Sequence, residues 1–226
     1  TQVDDAEVNQ TAAYEVNASG VHSLARWCQG ANCKLIHIST DFVFDGLSKT
    51  PYDAAAKTNP LSVYGASKLA GENYVLELLP RSGCVVRTSW LYSEYGNNFV
   101  KTMLRLMREE SELKVVDDQI GSPTSAKDLA KTILTILDSG FNKYGIFNYS
   151  NDGTASWFDF AQAIFLFREI KTKVLPIKAK EFKTIAKRPA YSVLNCSKIK
   201  ADYDIIGQNW KQSLRKVLDQ NNHHDI

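Results

Sequence analysis

Apolar positions along the chain alternate between a three-to-four-residue spacing and short continuous runs, as helices interleaved with buried strands would require. Residues 10–30 predict a helix, with Ala13, Val16, Asn17, Gly20, Leu24 and Trp27 near one stripe and Gly30-Ala31-Asn32 ending it. The run from Lys34 through Leu35, Ile36, His37 and Ile38 to Ser39 and Thr40 suits a buried parallel strand. A loop follows from Asp41 to Asn59, with Asp45-Gly46 as a turn and Pro51 and Pro60 breaking structure on either side. Residues 64–79 form the next helix, and Cys84 to Ser89 a second buried strand that runs on into Trp90-Leu91-Tyr92.

Asn97 to Glu110 reads as an amphipathic helix whose Met103 and Met107 fill core, with the charged run Arg108 to Glu112 as its solvated end. Leu113 to Val116 is a strand leading into the segment Asp117 to Thr124. Adjacent Asp117 and Asp118 point to opposite faces of an extended chain, so they read as a turn rather than a metal or acid–base pair. Ser125 and Asp128 have the spacing of a helix cap, and the helix behind them is expected to bury Leu129, Ile133, Leu134 and Leu137. Tyr144 to Ser150 is a strand. Ser156 and Asp159 repeat the capping spacing before a helix whose aromatics Trp157, Phe158, Phe160, Phe165 and Phe167 read as core. Residues 171–188 set seven Lys and Arg against Glu181, as either a solvated edge or a phosphate-facing strip. A turn and a helix carrying Trp210, Leu214, Val217 and Leu218 follow Asp202, and His223-His224 reads as a frayed tail. The alternation predicts an α/β fold built on a doubly wound parallel sheet.

Composition narrows the partners. The chain has 226 residues, 44% apolar and 23% charged, with a formal net charge of +2, which gives no general attraction for nucleic acid. Cys28, Cys33, Cys84 and Cys196 form no C-x-x-C and read as reduced thiols of a cytoplasmic protein. No run of about 18 apolar residues predicts a membrane span, and the polar start Thr1-Gln2-Val3-Asp4-Asp5 is unlike a signal peptide. No Met opens the chain and no Gly-x-Gly-x-x-Gly occurs, so it reads as beginning in mid-fold.

The candidate chemistry centres on Tyr64 and Lys68, the one Tyr-to-Lys pair at this spacing and so on one face of a helix. A phenol titrates near 10, and an adjacent ammonium favours the phenolate and draws that value toward neutrality. A hydroxyl from Thr40, at the end of the first strand, would hold a carbonyl oxygen against the tyrosine. The set suits proton transfer to a carbonyl oxygen while hydride reaches its carbon. A solvated helix pair is the plainer alternative. His37 has no partner cluster in sequence and reads as a core or sheet-face histidine.

Ser39-Thr40-Asp41-Phe42-Val43-Phe44-Asp45-Gly46, Pro51-Tyr52, Tyr64-Gly-x-Ser-Lys68-x-x-Gly71-Glu72 and Arg87-Thr88-Ser89-Trp90-Leu91-Tyr92 together resemble the dTDP-4-dehydrorhamnose reductases, which are extended short-chain dehydrogenase/reductases. Asp118-Gln119-x-Gly121-x-Pro123-Thr124, Asp128-Leu129-Ala130 and Arg188-Pro189-x-x-Ser192-x-Leu194 continue the likeness to about Leu218. The resemblance implies reduction of the 4-keto group of a dTDP-sugar by NADPH or NADH. Thr40, Tyr64 and Lys68 would be catalytic, with Lys68 also lowering the tyrosine pKa and gripping the nicotinamide ribose. Ser39 and Leu91 would lie along the cofactor, and Asp41, Trp90, Gln119 and Arg188 at the substrate. It further implies a Rossmann lobe of residues 1–92 and 121–150 and an interleaved substrate lobe of residues 93–120 and 151–226. A homodimer, with Mg2+ at its interface, is compatible with it, and no metal ligand is assigned within the chain.

Phe42 replaces the family's more usual Tyr, and Asp53-Ala54-Ala55 lacks acids the family often carries there. Members also begin with a Gly-rich turn that cradles the cofactor pyrophosphate. Without it, residues 1–226 alone are expected to bind NADPH weakly and to be inactive. Two alternatives stand: a non-catalytic regulatory subunit of methionine adenosyltransferase type, and a reductase or epimerase of another nucleotide sugar. Trp90 and the run around Gln119 favour the reductase.

Overall fold

The computed structural model describes residues 2–220. Along the chain run α1 (Val3–Val8), α2 (Gln10–Tyr14), a π-helical turn (Glu15–Ser19), α3 (Gly20–Gly30), β1 (Leu35–Thr40), a 3-10 turn (Asp41–Val43), α4 (Val63–Leu78), β2 (Gly83–Thr88) and β3 (Leu91–Tyr92). There follow α5 (Phe99–Glu109), β4 (Glu112–Val116), β5 (Ile120–Gly121), β6 (Thr124–Ser125), α6 (Ala126–Asp138) and β7 (Gly145–Asn148). The chain then forms β8 (Ala155–Ser156), α7 (Trp157–Phe167), β9 (Lys173–Ile177), a second 3-10 turn (Ala179–Glu181), α8 (Ser197–Tyr203) and α9 (Trp210–Gln220).

The expected parallel alternation is present. β1, β2 and β7 form one parallel sheet in that order, with Leu35 opposite Gly83, Thr40 opposite Thr88, and Cys84 opposite Gly145. Every residue of β2 is buried, Arg87 included, which explains the apolar run Cys84-Val85-Val86. Helix α4 lies on this sheet and against α3. The approach is close enough that a methyl on Gly71 would overlap the Asn17 carbonyl oxygen.

Among the described residues a small cluster of Ala25, Cys28 and Leu79 accompanies two larger apolar cores. Val43, Phe44, Cys84, Val86, Leu129, Ile136 and Phe147 gather around the three-stranded sheet, and Leu194, Cys196, Ile199 and Tyr203 return to that same core. Tyr92, Val100, Met103, Leu113, Val115, Phe160, Ile164, Trp210, Leu214 and Leu218 form the other. The return is fastened at Tyr52, whose N–H donates to the Val193 carbonyl at 2.8 Å and whose carbonyl accepts from Asn195 N–H at 2.9 Å.

Four sequence expectations need correction, the first being that Ser125, although at the N-cap position of α6, makes no side-chain cap hydrogen bond. The stripe assigned to residues 10–30 faces outward: Val16, Leu24 and Trp27 are 71%, 49% and 63% exposed, while Ala18, Ala25 and Cys28 are buried. The π-helical turn adds a residue and so rotates the helix beyond it by about 100° relative to a continuous α-helix. Small residues on the buried face let α3 approach α4. In α6 the buried side is Leu129, Thr132 and Ile136, whereas Leu134 and Leu137 are exposed, because two overlapping apolar stripes compete on that helix. Residues 171–188 contain a strand that their charge hid: β9 pairs in parallel with β4, Glu112 opposite Lys173. Exposed Lys173 and Lys178 bridge to Glu112 and Asp117 across this pair. The reading of His223-His224 lies outside the described residues.

Candidate active site

The site is assembled where α4 begins beneath the end of β1. Ser62 caps α4 by accepting from Gly65 N–H at 3.1 Å, and the Glu7 carboxylate accepts from Val63 N–H at 2.8 Å. Only hydrogen fits at position 65, since a methyl there would overlap the Phe42 carbonyl oxygen. That contact seats Tyr64 against the segment after β1, its ring edge-on to Phe42 at 5.7 Å. The Thr40 hydroxyl lies near enough to Tyr64 to pull its phenol pKa down. The same oxygen donates to Asp41 Oδ1 at 3.1 Å and accepts from Phe42 N–H at 3.2 Å. Asp41 is 2% exposed. Burial pushes its carboxyl up to about 6 against the pull of the nearby Ser192 and Thr40 hydroxyls, and Oδ2 has no hydrogen-bond partner among the described residues.

Thr40, Tyr64 and Lys68 are thus brought to one place, but the electrostatics differ from expectation. Burial holds the Tyr64 phenol above its usual pKa and the Asp41 charge adds to the rise, while Thr40 opposes it. The Lys68 ammonium is directed along β1 instead, donating to the Ile38 carbonyl at 2.7 Å and lying 3.4 Å from His37 Nε2. Its own pKa is lowered by burial, which the Glu72 carboxylate partly offsets. Burial, then Lys68, pushes His37 down to about 4, so it is a neutral histidine facing the helix.

Beneath this trio lies a buried ion pair to which sequence reasoning assigns no role. Arg87 donates to Glu72 through Nε at 3.0 Å and Nη2 at 2.6 Å, and through Nη1 to the Ala54 carbonyl at 3.1 Å. Ser39 donates to Glu72 Oε1 at 2.5 Å, so its hydroxyl joins the pair. A signal for the pair exists in the sequence: Glu72 stands one turn after Lys68, and Arg87 is a lone charge inside an apolar strand.

A second feature is a cavity of about 530 Å³ against the other core. Phe99, Met103, Leu113, Val115, Trp157 and Phe182 make its apolar wall, and Lys114, Gln119, Thr184 and Arg188 supply polar groups. Arg188 is held by Asp4, Nη2 to Oδ2 at 2.6 Å, and donates through Nη1 to the Ala186 carbonyl. Gln119 and Arg188 therefore share one cavity, while Trp90 and Asp41 are absent from its lining. Trp90 instead stacks on Trp157, ring centroids 3.6 Å apart. Trp157, expected as core filler, is the wall residue that sequence reasoning missed. Leu91 opens β3 at 41% exposure and pairs with Thr124. Among the described residues no group of three or more His, Cys, Asp and Glu is placed to hold a metal, and no helix is long and apolar enough to cross a membrane.

The family model described as the RmlD substrate binding domain matches residues 1–223. A dTDP-4-dehydrorhamnose reductase of Sinorhizobium fredii is 44% identical, over 96% of this chain and 76% of its own length. The crystal structure of a dTDP-4-dehydrorhamnose reductase from Clostridium acetobutylicum superposes with a TM-score of 0.93 at 43% identity, covering 98% of this chain and 78% of that one. One from Bacillus anthracis, in complex with NADP, also gives 0.93, at 42% identity, covering 97% of this chain and 77% of that one.

Proposed function

The chain belongs to the RmlD substrate binding domain family, and on that premise we propose that it reduces the 4-keto group of dTDP-4-dehydrorhamnose to give dTDP-L-rhamnose, with NADPH or NADH as reductant. The observation that carries this reading is the convergence of Thr40, Tyr64 and Lys68 at the carboxyl end of β1, where open parallel sheets receive dinucleotides. The nicotinamide, when bound, supplies hydride to the sugar C4. The chain's own residues manage the proton and the geometry. Tyr64, its pKa held up by burial, is protonated at neutral pH and donates to the oxygen on which charge develops. Thr40, beside the phenol, steadies the same oxygen. Lys68 brings a buried cation to the end of β1, the position from which a ribose hydroxyl is gripped.

Gln119 and Arg188 sit at the substrate in this reading, with the guanidinium toward the diphosphate. Asp41 acts through Thr40, and Trp90 through the wall it shares with Trp157. Ser39 supports the cofactor face from behind through Glu72, and Leu91 borders the cofactor. The lobe around β1, β2 and β7 takes the nicotinamide cofactor and the lobe around α5, α7 and α9 takes the nucleotide sugar. A cytoplasmic location, a homodimer and Mg2+ at its interface belong to this proposal on family resemblance alone.

The test monitors loss of NADPH absorbance with dTDP-4-dehydrorhamnose, in the full-length gene product and in its Tyr64→Phe variant. The variant keeps the ring and loses the proton, so turnover should fall by about 10²-fold or more with an unchanged melting temperature. A parent that folds and binds NADPH without turning over this substrate, or a Tyr64→Phe variant that turns over normally, defeats the reading.

A further inference from the structure

We propose that Trp157 is a positioning residue for substrate binding: stacked on Trp90 and facing the cavity, it fixes the orientation of Trp90 and transmits to it whatever fills the cavity. The inference rests on the reading of the cavity as the nucleotide-sugar site.

The backbone sets the problem. Trp90 has φ +47°, in the left-handed region that a bulky L-residue adopts only at a cost. Its neighbours hold it there. The Ser89 hydroxyl donates to the Ser122 carbonyl at 2.7 Å, and Thr124 N–H donates to the Trp90 carbonyl at 3.2 Å. The side chain is confined as well. A methyl on Gly121 would come within 2.5 Å of the indole, so glycine is what leaves the ring its space. Gly121 pairs with Ala155 in the antiparallel ladder of β5 and β8, two residues ahead of Trp157.

Trp157 is itself rigidly placed. It is the first residue of α7, directly after a capping box in which the Ser156 hydroxyl accepts from Asp159 N–H and the Asp159 carboxylate accepts from Ser156 N–H, both at 2.9 Å. Its ring lies 5° from the plane of Trp90 and is tilted 47° to Phe99, with centroids 4.7 Å apart. Phe99 and Trp157 both line the cavity; Trp90 does not. A ligand there meets Trp157 first, and Trp90 responds through a stacked face. A strained residue supported by one aromatic surface is a part whose geometry that surface determines.

The test uses Trp157→Leu and Trp157→Phe with three readouts: the near-ultraviolet circular dichroism couplet of the indole pair, KM and kcat for dTDP-4-dehydrorhamnose, and calorimetric affinity for dTDP. Trp157→Leu should abolish the couplet and raise KM and the dTDP Kd about tenfold, while kcat changes little. Trp157→Phe keeps an aromatic face and should restore both constants to within about threefold of the parent. In the parent, saturation with dTDP should change the couplet amplitude. A Trp157→Leu protein with a lowered melting temperature but unaltered KM and Kd would overturn the inference, marking the ring as packing only. Should Trp157→Leu fail to fold, the parent titration decides: dTDP binding that leaves the couplet unchanged also overturns it. A parent that binds neither dTDP nor the sugar nucleotide overturns the functional reading, and this inference with it.

Discussion

Replacing Asp41 by Asn tests the electrostatics of the site without changing its shape. The side chain is buried, its carboxyl is pushed from 3.8 up to about 6 by burial, and Oδ2 has no partner among the described residues. In the unfolded chain the group releases its proton at its ordinary pKa, whereas in the folded protein it keeps it to about 6. Between those values folding takes up a proton, so this group's contribution to stability falls as pH rises and levels off above the folded pKa. A rise from 3.8 to about 6 corresponds to roughly 3 kcal/mol. Asn cannot titrate and still offers an oxygen to the Thr40 hydroxyl. The stability of the Asn variant relative to the parent should therefore improve by about 3 kcal/mol from pH 3.5 to pH 7. Asp4 and Asp45, whose pKa values are lowered, also affect stability on acidification, but both proteins carry them and the difference cancels their effect. Urea unfolding of both proteins at a series of pH values measures it. Parallel curves across that window would refute the claim that Asp41 is a charged, poorly compensated buried group. The same substitution removes a charge that holds the Tyr64 pKa up, so the alkaline limb of the rate profile should move to lower pH.

Two further perturbations test the frame around the trio. Glu72→Gln leaves Arg87 buried without its counter-charge and should cost about 3–5 kcal/mol in thermal or urea unfolding; replacing both residues by apolar ones of similar volume should cost less. Gly71→Ala forces a methyl against the Asn17 carbonyl oxygen and should destabilise by about 1–3 kcal/mol, whereas Gly30→Ala meets nothing within contact distance and should change stability by under about 1 kcal/mol. A tolerated Gly71→Ala would show that the π-helical turn at Glu15–Ser19 yields easily.

Legibility tracks the range of the forces involved. The i,i+4 pairing of Tyr64 with Lys68, the strands β1 and β2 and the cap at Ser156 are local, and local patterns carry them. Trp157 escapes such patterns because an aromatic at the start of an apolar helix looks the same in sequence whether it fills core or faces a cavity. The difference lies in Gly121 and Trp90, which reach it through tertiary folding. The Lys68 ammonium departs from its expected place because the Ile38 carbonyl and His37 of β1 compete for it. Helix α3 is out of phase with its apolar stripe because one π-helical turn breaks the period on which such readings depend.

The fastening of Tyr52 to Val193 and Asn195 bears on how the molecule is made. Its partners lie some 140 residues further along the chain, a separation that raises contact order and slows folding. A ribosome must deliver the whole intervening lobe before the sheet around β1 receives Leu194, Ile199 and Tyr203. Neither half of the molecule can then be completed as an independent vectorial unit. A nascent chain stopped before residue 194 would leave apolar surface of the first core bare, in the form that chaperones recognise.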